Sequence, residues 1–253
     1  FHVREIFVPW SPGKLLYRLL FPRKNAHILA ISHAVKANLP RRLANTAEVI
    51  HNGVEVEASP APLPGGETVR FLYLGRVVPW KGCHLLIDIF ARLRDRTGAE
   101  RVSLSLVGDT LYWPREYRAE LQERITRRGL TGCCVLQPHT EHPRETIKQH
   151  HVLCCASRNE PFGRVIAEAQ GCGRPVVAFA GGGVGEIVRH CSTGLLVDYG
   201  DRPGFVSAMA SLVNRRERIE EMGRAGHRRA AAHFNRRTQV PKVCRFVESL
   251  AGA

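Results

Sequence analysis

Between residues 69 and 197, short apolar runs alternate with segments whose apolar positions recur at helical spacing. The pattern predicts strands over 69–74, 102–107, 133–136, 152–156, 176–179 and 195–197, with helices over 81–96, 114–128, 144–149 and 163–172. These strands are almost continuously apolar, so both of their faces need cover, which points to a parallel sheet with helices on either side. The expected fold class is therefore α/β, a doubly wound, Rossmann-like domain. Such sheets bind ligands beyond the carboxyl ends of their strands, and the loops carrying Gly75, Asp109, Glu160 and Gly181 each follow a strand. They should gather along one edge.

Upstream, residues 28–31 read as a strand, Ser32 as the cap of a helix reaching 39, and 49–50 as a short strand leading into His51-Asn52-Gly53. Pro and Gly crowd 59–66, which reads as a linker. Downstream, helices are expected over 203–212, 216–233 and 240–250. The first fifty or so residues are too few for a core of their own. This divides the chain into 1–52, the end of a preceding domain; 53–68, a linker; 69–233, the ligand-binding domain; and 234–253, a terminal helix. Because the sequence opens on Phe1 rather than Met, it is expected to be a processed or partial chain.

Composition narrows the class without choosing it. The hydrophobic share of 44% is ordinary for a globular protein, and no apolar run approaches the length of a membrane span. The net charge of +14 gathers near the ends: Arg4, Lys14, Arg18, Arg23, Lys24, Lys36, Arg41 and Arg42, then a second group over 215–245. Such patches suit an anionic membrane face or an acidic substrate, and equally a solvated surface. Without aromatic-interleaved stretches or a helix-turn-helix, KH or RRM pattern, nucleic acid is disfavoured. The eight cysteines include the neighbours Cys133-Cys134 and Cys154-Cys155 but no C-x-x-C spacing. Neighbours on a strand face opposite ways, so buried thiols in a reducing, cytoplasmic compartment are expected. His150 and His151 read as structural rather than as metal ligands.

The candidate chemistry centres on Glu160-Pro-Phe-Gly-Arg-Val-Ile-Ala-Glu168, two carboxylates across a turn that opens into a helix. Glu168 lies about 7.5 Å up the helix axis from the turn. A helix start offers free N–H groups to a phosphate, while an ionised carboxylate accepts hydrogen bonds from vicinal hydroxyls of a sugar. Read alone, the pair fits helix capping, glycosidase chemistry or a ligand site. Gly75-Arg76 and Lys81-Gly82 follow the first strand and can neutralise a diphosphate. Gly181-Gly182-Gly183-Val184-Gly185-Glu186 offers further backbone N–H groups and another carboxylate. No dinucleotide fingerprint and no G-x-x-x-x-G-K-[ST] loop occurs, which disfavours NAD binding and P-loop hydrolysis.

The order of these pieces resembles glycosyltransferase family 4. The resemblance is carried by Asn52-Gly53-Val54, Gly75-Arg76 with Lys81-Gly82, Val107-Gly108-Asp109, Ser157 with Glu160-Pro161-Phe162-Gly163, Glu168-Ala169, Gly173 with Pro175-Val176-Val177, Gly182-Gly183 with Glu186, and Gly194-Leu195-Leu196-Val197. It covers roughly 26–235 and implies the GT-B architecture, two Rossmann-like domains across a cleft, with the C-terminal donor-binding domain and the remnant of an N-terminal acceptor domain present. It implies a retaining glycosyltransferase in polysaccharide or glycolipid biosynthesis, moving a sugar from a nucleotide-sugar donor to a glycan or lipid-linked acceptor.

The implied catalytic residues are Arg76 and Lys81 on the diphosphate, Glu160 on the transferred sugar, and His2 as the histidine normally lent by the N-terminal domain. The implied donor contacts are Gly75, Phe162, Gly163, Arg164, Val165 and Glu168, the last on the ribose, with the base near Leu136 and the loop after it. No cofactor and no metal are expected, since Arg and Lys balance the diphosphate charge. Gln170 and Gly185 are mild departures from the family pattern, where Met and Pro are frequent. The missing N-terminal domain is the larger one, and leaves a chain expected to bind donor better than it transfers sugar. The expected location is the cytoplasm, with peripheral contact at the membrane. A GT-B sugar-nucleotide epimerase and a non-catalytic nucleotide- or polyanion-binding module are the alternative functions.

Overall fold

A computed structural model of the chain describes residues 2–4, 27–110, 114 and 116–251; Phe1, Lys14, Arg18, Arg23 and Lys24 lie outside the described residues. The N-terminal unit is a three-stranded parallel sheet of β1 (His2–Val3), β2 (Leu29–Ala30) and β3 (Glu48–Val49), in that spatial order. Between β2 and β3 run α1 (His33–Asn38) and α2 (Arg41–Thr46). Ser32 caps α1 as expected, its hydroxyl accepting from Val35 N–H at 3.0 Å. Sequence periodicity does not reveal α2, because Leu43 is its single buried residue and one apolar anchor makes no repeat.

The larger domain is a six-stranded parallel sheet. Its strands are β4 (Val69–Leu74), β5 (Val102–Val107), β6 (Cys134–Gln137), β7 (Val152–Cys155), β8 (Val176–Ala180) and β9 (Gly194–Asp198). They pair in the order β6-β5-β4-β7-β8-β9, every pairing parallel. This is the Rossmann order, in which the chain moves outward from β4 in one direction and then from β7 in the other. The crevice for a ligand therefore opens between the ends of β4 and β7.

Alternation along the strands builds two cores. Val69, Phe71 and Tyr73 of β4 join Cys154, Val177 and Phe179 on one face, under α3 (Cys83–Thr97), α4 (Glu116–Arg127) and α8 (Arg202–Asn214), while α5 (Pro143–Lys148) packs through Ile147 on the other. Leu72, Leu153, Cys155, Val176 and Ala178 face the other way, against α6 (Arg164–Gly171) and the N-terminal unit. Cys154 and Cys155 thus sit in opposite cores, and all eight cysteines are free. Burial pushes the Cys154 thiol well up and the Cys134 thiol up to about 12, so both are inert packing groups. His150 and His151 are structural too: His150 bridges Thr146 O and Ser105 Oγ, and His151 Nδ1 accepts from Arg70 N–H.

Two helix starts differ from expectation. Lys81 closes a 3-10 turn, Pro79–Lys81, and α3 starts only at Cys83 because Gly82 takes φ 76° between them. A Cβ on Gly82 would also collide with the Ala156 carbonyl oxygen, so glycine is required there twice over. After the glycine cluster, α7 (Val184–Ile187) is a single turn. After α9 (Glu217–His233), the last helix, α10 (Arg236–Ala251), begins before Pro241 rather than near it. Tertiary anchors hold its first turns: Arg236 N–H donates to Val54 O at 2.8 Å and the buried Gln239 side chain to His233 O at 2.7 Å. No described helix is long and apolar enough to cross a membrane.

Candidate active site

Arg76 leaves β4 on an exposed loop, and the tight turn with Gly82 then brings Lys81 back toward the crevice. Opposite, β7 ends in Ala156-Ser157, and the turn Glu160–Gly163 delivers the chain into α6. Gly163, at φ 94°, caps α6 without any side-chain hydrogen bond, which leaves the helix start open. The two loops meet directly. Lys81 Nζ donates to Glu160 Oε2 at 2.6 Å, both side chains mostly buried at 19% and 13% exposure.

Two cavities of about 460 and 440 Å³ flank this pair. Both are walled by Arg4, Arg76, Lys81, Glu160 and Arg164. The smaller adds Gly75, Val165, Glu168, His139, Thr140 and Pro143, among others. The larger adds Trp80, Asn159, Ser157 and Phe162 from the sheet domain, and Ile31 and Asn52 from the N-terminal unit. Four cations and one carboxylate thus separate a groove along α6 from a cavity bounded by both units.

Glu168 stands one turn from Arg164, whose Nε approaches its Oε1 at 3.0 Å. Burial pushes the Glu168 carboxyl up, and the Arg164 and Arg144 guanidiniums only partly oppose this. A half-buried acceptor facing the smaller cavity can read hydroxyls of a bound ligand. Phe162 is core as much as site: it stacks on His51 at 5.5 Å and meets Phe234 edge-on at 5.7 Å, fixing the turn from beneath.

Nine of the eleven expected site residues therefore converge: Arg76, Lys81, Glu160, Gly75, Phe162, Gly163, Arg164, Val165 and Glu168 all line one cavity or the other. Two do not. His2 is exposed on β1, paired in register with Leu29, and lines neither cavity; Arg4, just past the end of the same strand, lines both. A parallel strand presents its carboxyl end to the cleft, so the residue beyond the strand reaches in and the one at its start does not. Leu136 lies on the edge strand β6, its carbonyl accepting from Arg118, and the cavity is lined instead by His139 and Thr140 in the loop beyond it.

The glycine cluster is also reassigned. Gly183 N–H donates to Glu160 O at 2.7 Å, and Gly182 forms a parallel bridge with Glu160, so these amides brace the turn rather than meet a ligand. Glu186 turns to the N-terminal unit. Its carboxylate accepts from His33 N–H, Ala34 N–H and His51 Nε2, each at 2.9 Å. Burial pushes its pKa up, but those three donors outweigh burial and hold it below the ordinary carboxylate value. His33, His51 and Glu186 form the one group among the described residues with the spacing of metal ligands, though the carboxylate is already occupied by these N–H donors. The Ser32 hydroxyl donates to Pro161 O, tying the same unit to the Glu160 turn.

Sequence reasoning passed over Arg4, Trp80, Asn159 and Thr140 as site residues, while His139 belongs to the loop after Leu136 where it placed the base. Trp80 was the most accessible signal, an aromatic directly before the Lys81-Gly82 pair, between the strand over 69–74 and the helix expected from 81.

Residues 57–229 match the family model described as Glycosyl transferases group 1. The D-inositol 3-phosphate glycosyltransferase of Geodermatophilus obscurus is 29% identical over 244 residues, spanning 85% of this chain and 53% of that protein. The lipopolysaccharide core biosynthesis glycosyltransferase LpsE of Rhizobium meliloti is 31% identical, spanning 64% of this chain and 45% of that protein. The chain thus spans about half the length of the curated relatives it matches. Among solved structures, Anabaena HepE in complex with UDP and glucose superposes with a TM-score of 0.86 at 25% identity, covering 98% of this chain and 71% of that one. Sucrose-phosphate synthase from Thermosynechococcus elongatus, with a TM-score of 0.86 at 21% identity over 99% of this chain and 67% of that one, shares the fold.

Proposed function

The chain belongs to the group 1 glycosyl transferases, with the α/β fold of the GT-B type, and from that premise we propose that its cleft binds a nucleoside diphosphate sugar and passes the sugar to a glycan or lipid-linked acceptor with retention of anomeric configuration. One observation carries the reading: the wall of Arg4, Arg76, Lys81, Glu160 and Arg164 shared by two cavities. The nucleoside occupies the groove beside α6, with Glu168 accepting from the ribose hydroxyls. The diphosphate crosses the cationic wall, and the transferred sugar sits at Glu160 and Gly163.

In the reaction, the bond from the anomeric carbon to the diphosphate oxygen breaks and its electron pair leaves with the diphosphate. Negative charge grows there while positive charge grows on the sugar ring. Arg76 and Lys81, fixed by the sheet edge, stabilise the former more in the transition state than in the ground state. Arg4 takes the place first expected for His2 and brings a cation from the opposite unit. The acceptor oxygen attacks from the face the diphosphate leaves, and its proton passes to the departing phosphate oxygen. No protein nucleophile is needed, and Glu160, already engaged by Lys81, orients hydroxyls instead. With three cations supplying the charge, this scheme calls for no metal.

Binding of UDP-, GDP- and ADP-glucose by calorimetry, followed by sugar transfer assays, tests the proposal. A donor bound by the wild-type chain and weakened in Glu168→Ala supports it. Arg4→Ala should slow transfer or donor hydrolysis by about tenfold or more, while His2→Ala leaves both near wild type. No affinity for any of the three donors overturns it. The exposed cationic residues of α9 and α10, with Val240 and Val247 exposed on the latter, support a peripheral location on the anionic cytoplasmic face of a membrane. Flotation with vesicles rich in anionic lipid checks this, and equal recovery with neutral vesicles removes it.

A further inference from the structure

Tyr73 is the last residue of β4 on the core face under α3, the face that also carries Val69 and Phe71. Only 4% exposed, it places a hydroxyl where Phe71, two residues earlier, has none. A buried hydroxyl is costly unless it is hydrogen-bonded. Its partner here is the main chain of the site, since the Tyr73 hydroxyl donates to Arg76 O. Burial pushes the phenol pKa well up, so the group keeps the proton it donates. The same carbonyl accepts from Val78 N–H at 3.1 Å, while Gly75 N–H donates to Val107 O at 3.0 Å and Val77 N–H to Asp109 O at 2.8 Å. A Cβ on Gly108 would collide with Gly75 O, so the end of β5 closes on this loop from its other side. The backbone is thus bonded at every residue from 75 to 78, while the Arg76 side chain is exposed and lines both cavities.

We propose that Tyr73 is a positioning residue for the donor diphosphate: by holding Arg76 O from within the core, its hydroxyl sets where the Arg76 guanidinium stands, without touching the ligand itself. This rests on the donor reading above. A long, rotatable arginine side chain is placed no better than the peptide from which it hangs. The Arg76 guanidinium lies 5.8 Å from the Trp80 ring centroid, a cation–π contact that steadies the head of the side chain, and the Tyr73 hydroxyl steadies its root. Charge stabilisation of a leaving group depends on such fixed placement, and small displacements of the cation are costly. Tyr73 lines neither cavity, so an effect of its hydroxyl on a bound diphosphate has to pass through the loop. Phenylalanine at this position keeps the packing against α3 and loses only the pin.

The test is a double-mutant cycle read on the phosphates. UDP, GDP and ADP, each beside its monophosphate, are titrated by calorimetry into the wild-type chain, Tyr73→Phe, Arg76→Ala and the double variant. For the nucleoside that binds, the ratio of diphosphate to monophosphate affinity should fall by about three- to tenfold in Tyr73→Phe. Made in the Arg76→Ala background, the same substitution should change that ratio by less than about twofold, because the group it places is gone. A purely structural role predicts the same loss in both backgrounds. A fall of less than about threefold in the single variant, or one that persists beyond about twofold without Arg76, leaves Tyr73 as core packing and overturns the inference. No affinity of the wild-type chain for any of the three diphosphates overturns the donor reading, and this one with it.

Discussion

Lys81 Nζ stands 2.6 Å from Glu160 Oε2, so the loop after β4 and the turn after β7 are joined by an ion pair at the point where the strand order reverses. The pair keeps a cation and a carboxylate poised in a partly buried crevice, each at the position where the proposed function puts a different part of the donor.

Separating the two charges should separate their roles. Lys81→Met removes the charge-assisted contact proposed for the diphosphate and is expected to weaken UDP by about ten- to a hundredfold. Glu160→Gln frees Lys81 for the phosphates, so UDP affinity should hold or tighten while transfer slows by about a hundredfold. Calorimetry with UDP, set beside turnover with the sugar donor, checks both. Equal losses of UDP affinity in the two variants would contradict the division.

Donor binding should weaken on acidification because of Glu168. Burial raises its folded pKa, so the carboxylate proposed to accept from ribose protonates at a higher pH than an ordinary carboxylate. UDP affinity is expected to fall as pH drops through that raised value, and Glu168→Gln should be weak throughout and flatter in its pH response. The stability effect has the opposite sense. A carboxyl raised in the folded state binds its proton more tightly there, so it disfavours folding progressively as pH rises from the unfolded to the folded value. Glu168→Gln should gain about 0.5–1 kcal/mol at neutral pH by denaturant unfolding, a site residue held against stability.

Glu186 carries the contact between the two units, and its linkage runs the other way. Its folded pKa is depressed, so its contribution is fully present above the unfolded value and is lost as pH falls through the folded one. Glu186→Ala leaves His33 N–H, Ala34 N–H and His51 without their acceptor and should cost about 2–4 kcal/mol. Urea unfolding near neutral pH and again below pH ~4 should show the difference from wild type shrinking at the lower pH.

Arg174 is 1% exposed and donates to the carbonyls of His150, Ala61 and Pro62 at 2.7 Å and of Lys148 at 2.9 Å. One guanidinium thereby pins the 53–68 segment to the sheet domain. Burial lowers its pKa, yet no carboxylate among the described residues pairs with it; the carbonyl dipoles do that work. Arg174→Met strands four acceptors and should cost about 3–5 kcal/mol by urea unfolding, and Arg174→Lys should recover only part, since an ammonium cannot span the fork.

The larger domain was legible because its central strands β4, β7 and β8 are covered on both faces, and the resulting apolar runs need no knowledge of partners to be seen. Helix ends were less so: α10 starts before Pro241 because Val54 and Gln239 hold its first turns, contacts between residues far apart in sequence or hidden in a polar stretch. α2 escaped because a single buried Leu43 makes no period.

For the site, the chain order of Gly75, Arg76, Lys81, Glu160 and Glu168 determined that cations and carboxylates would share one sheet edge, since parallel strands send all their carboxyl ends the same way. Which of them touch was decided only in three dimensions. The strand order places β4 beside β7 and so pairs Lys81 with Glu160; the end of β1 brings in Arg4 and leaves His2 outside; and packing of the N-terminal unit draws Glu186 away from the crevice into a lock. Sequence sets which residues stand at an edge, because that follows from local periodicity. Contacts across the cleft depend on strand order and on how two units meet, and no local pattern encodes either.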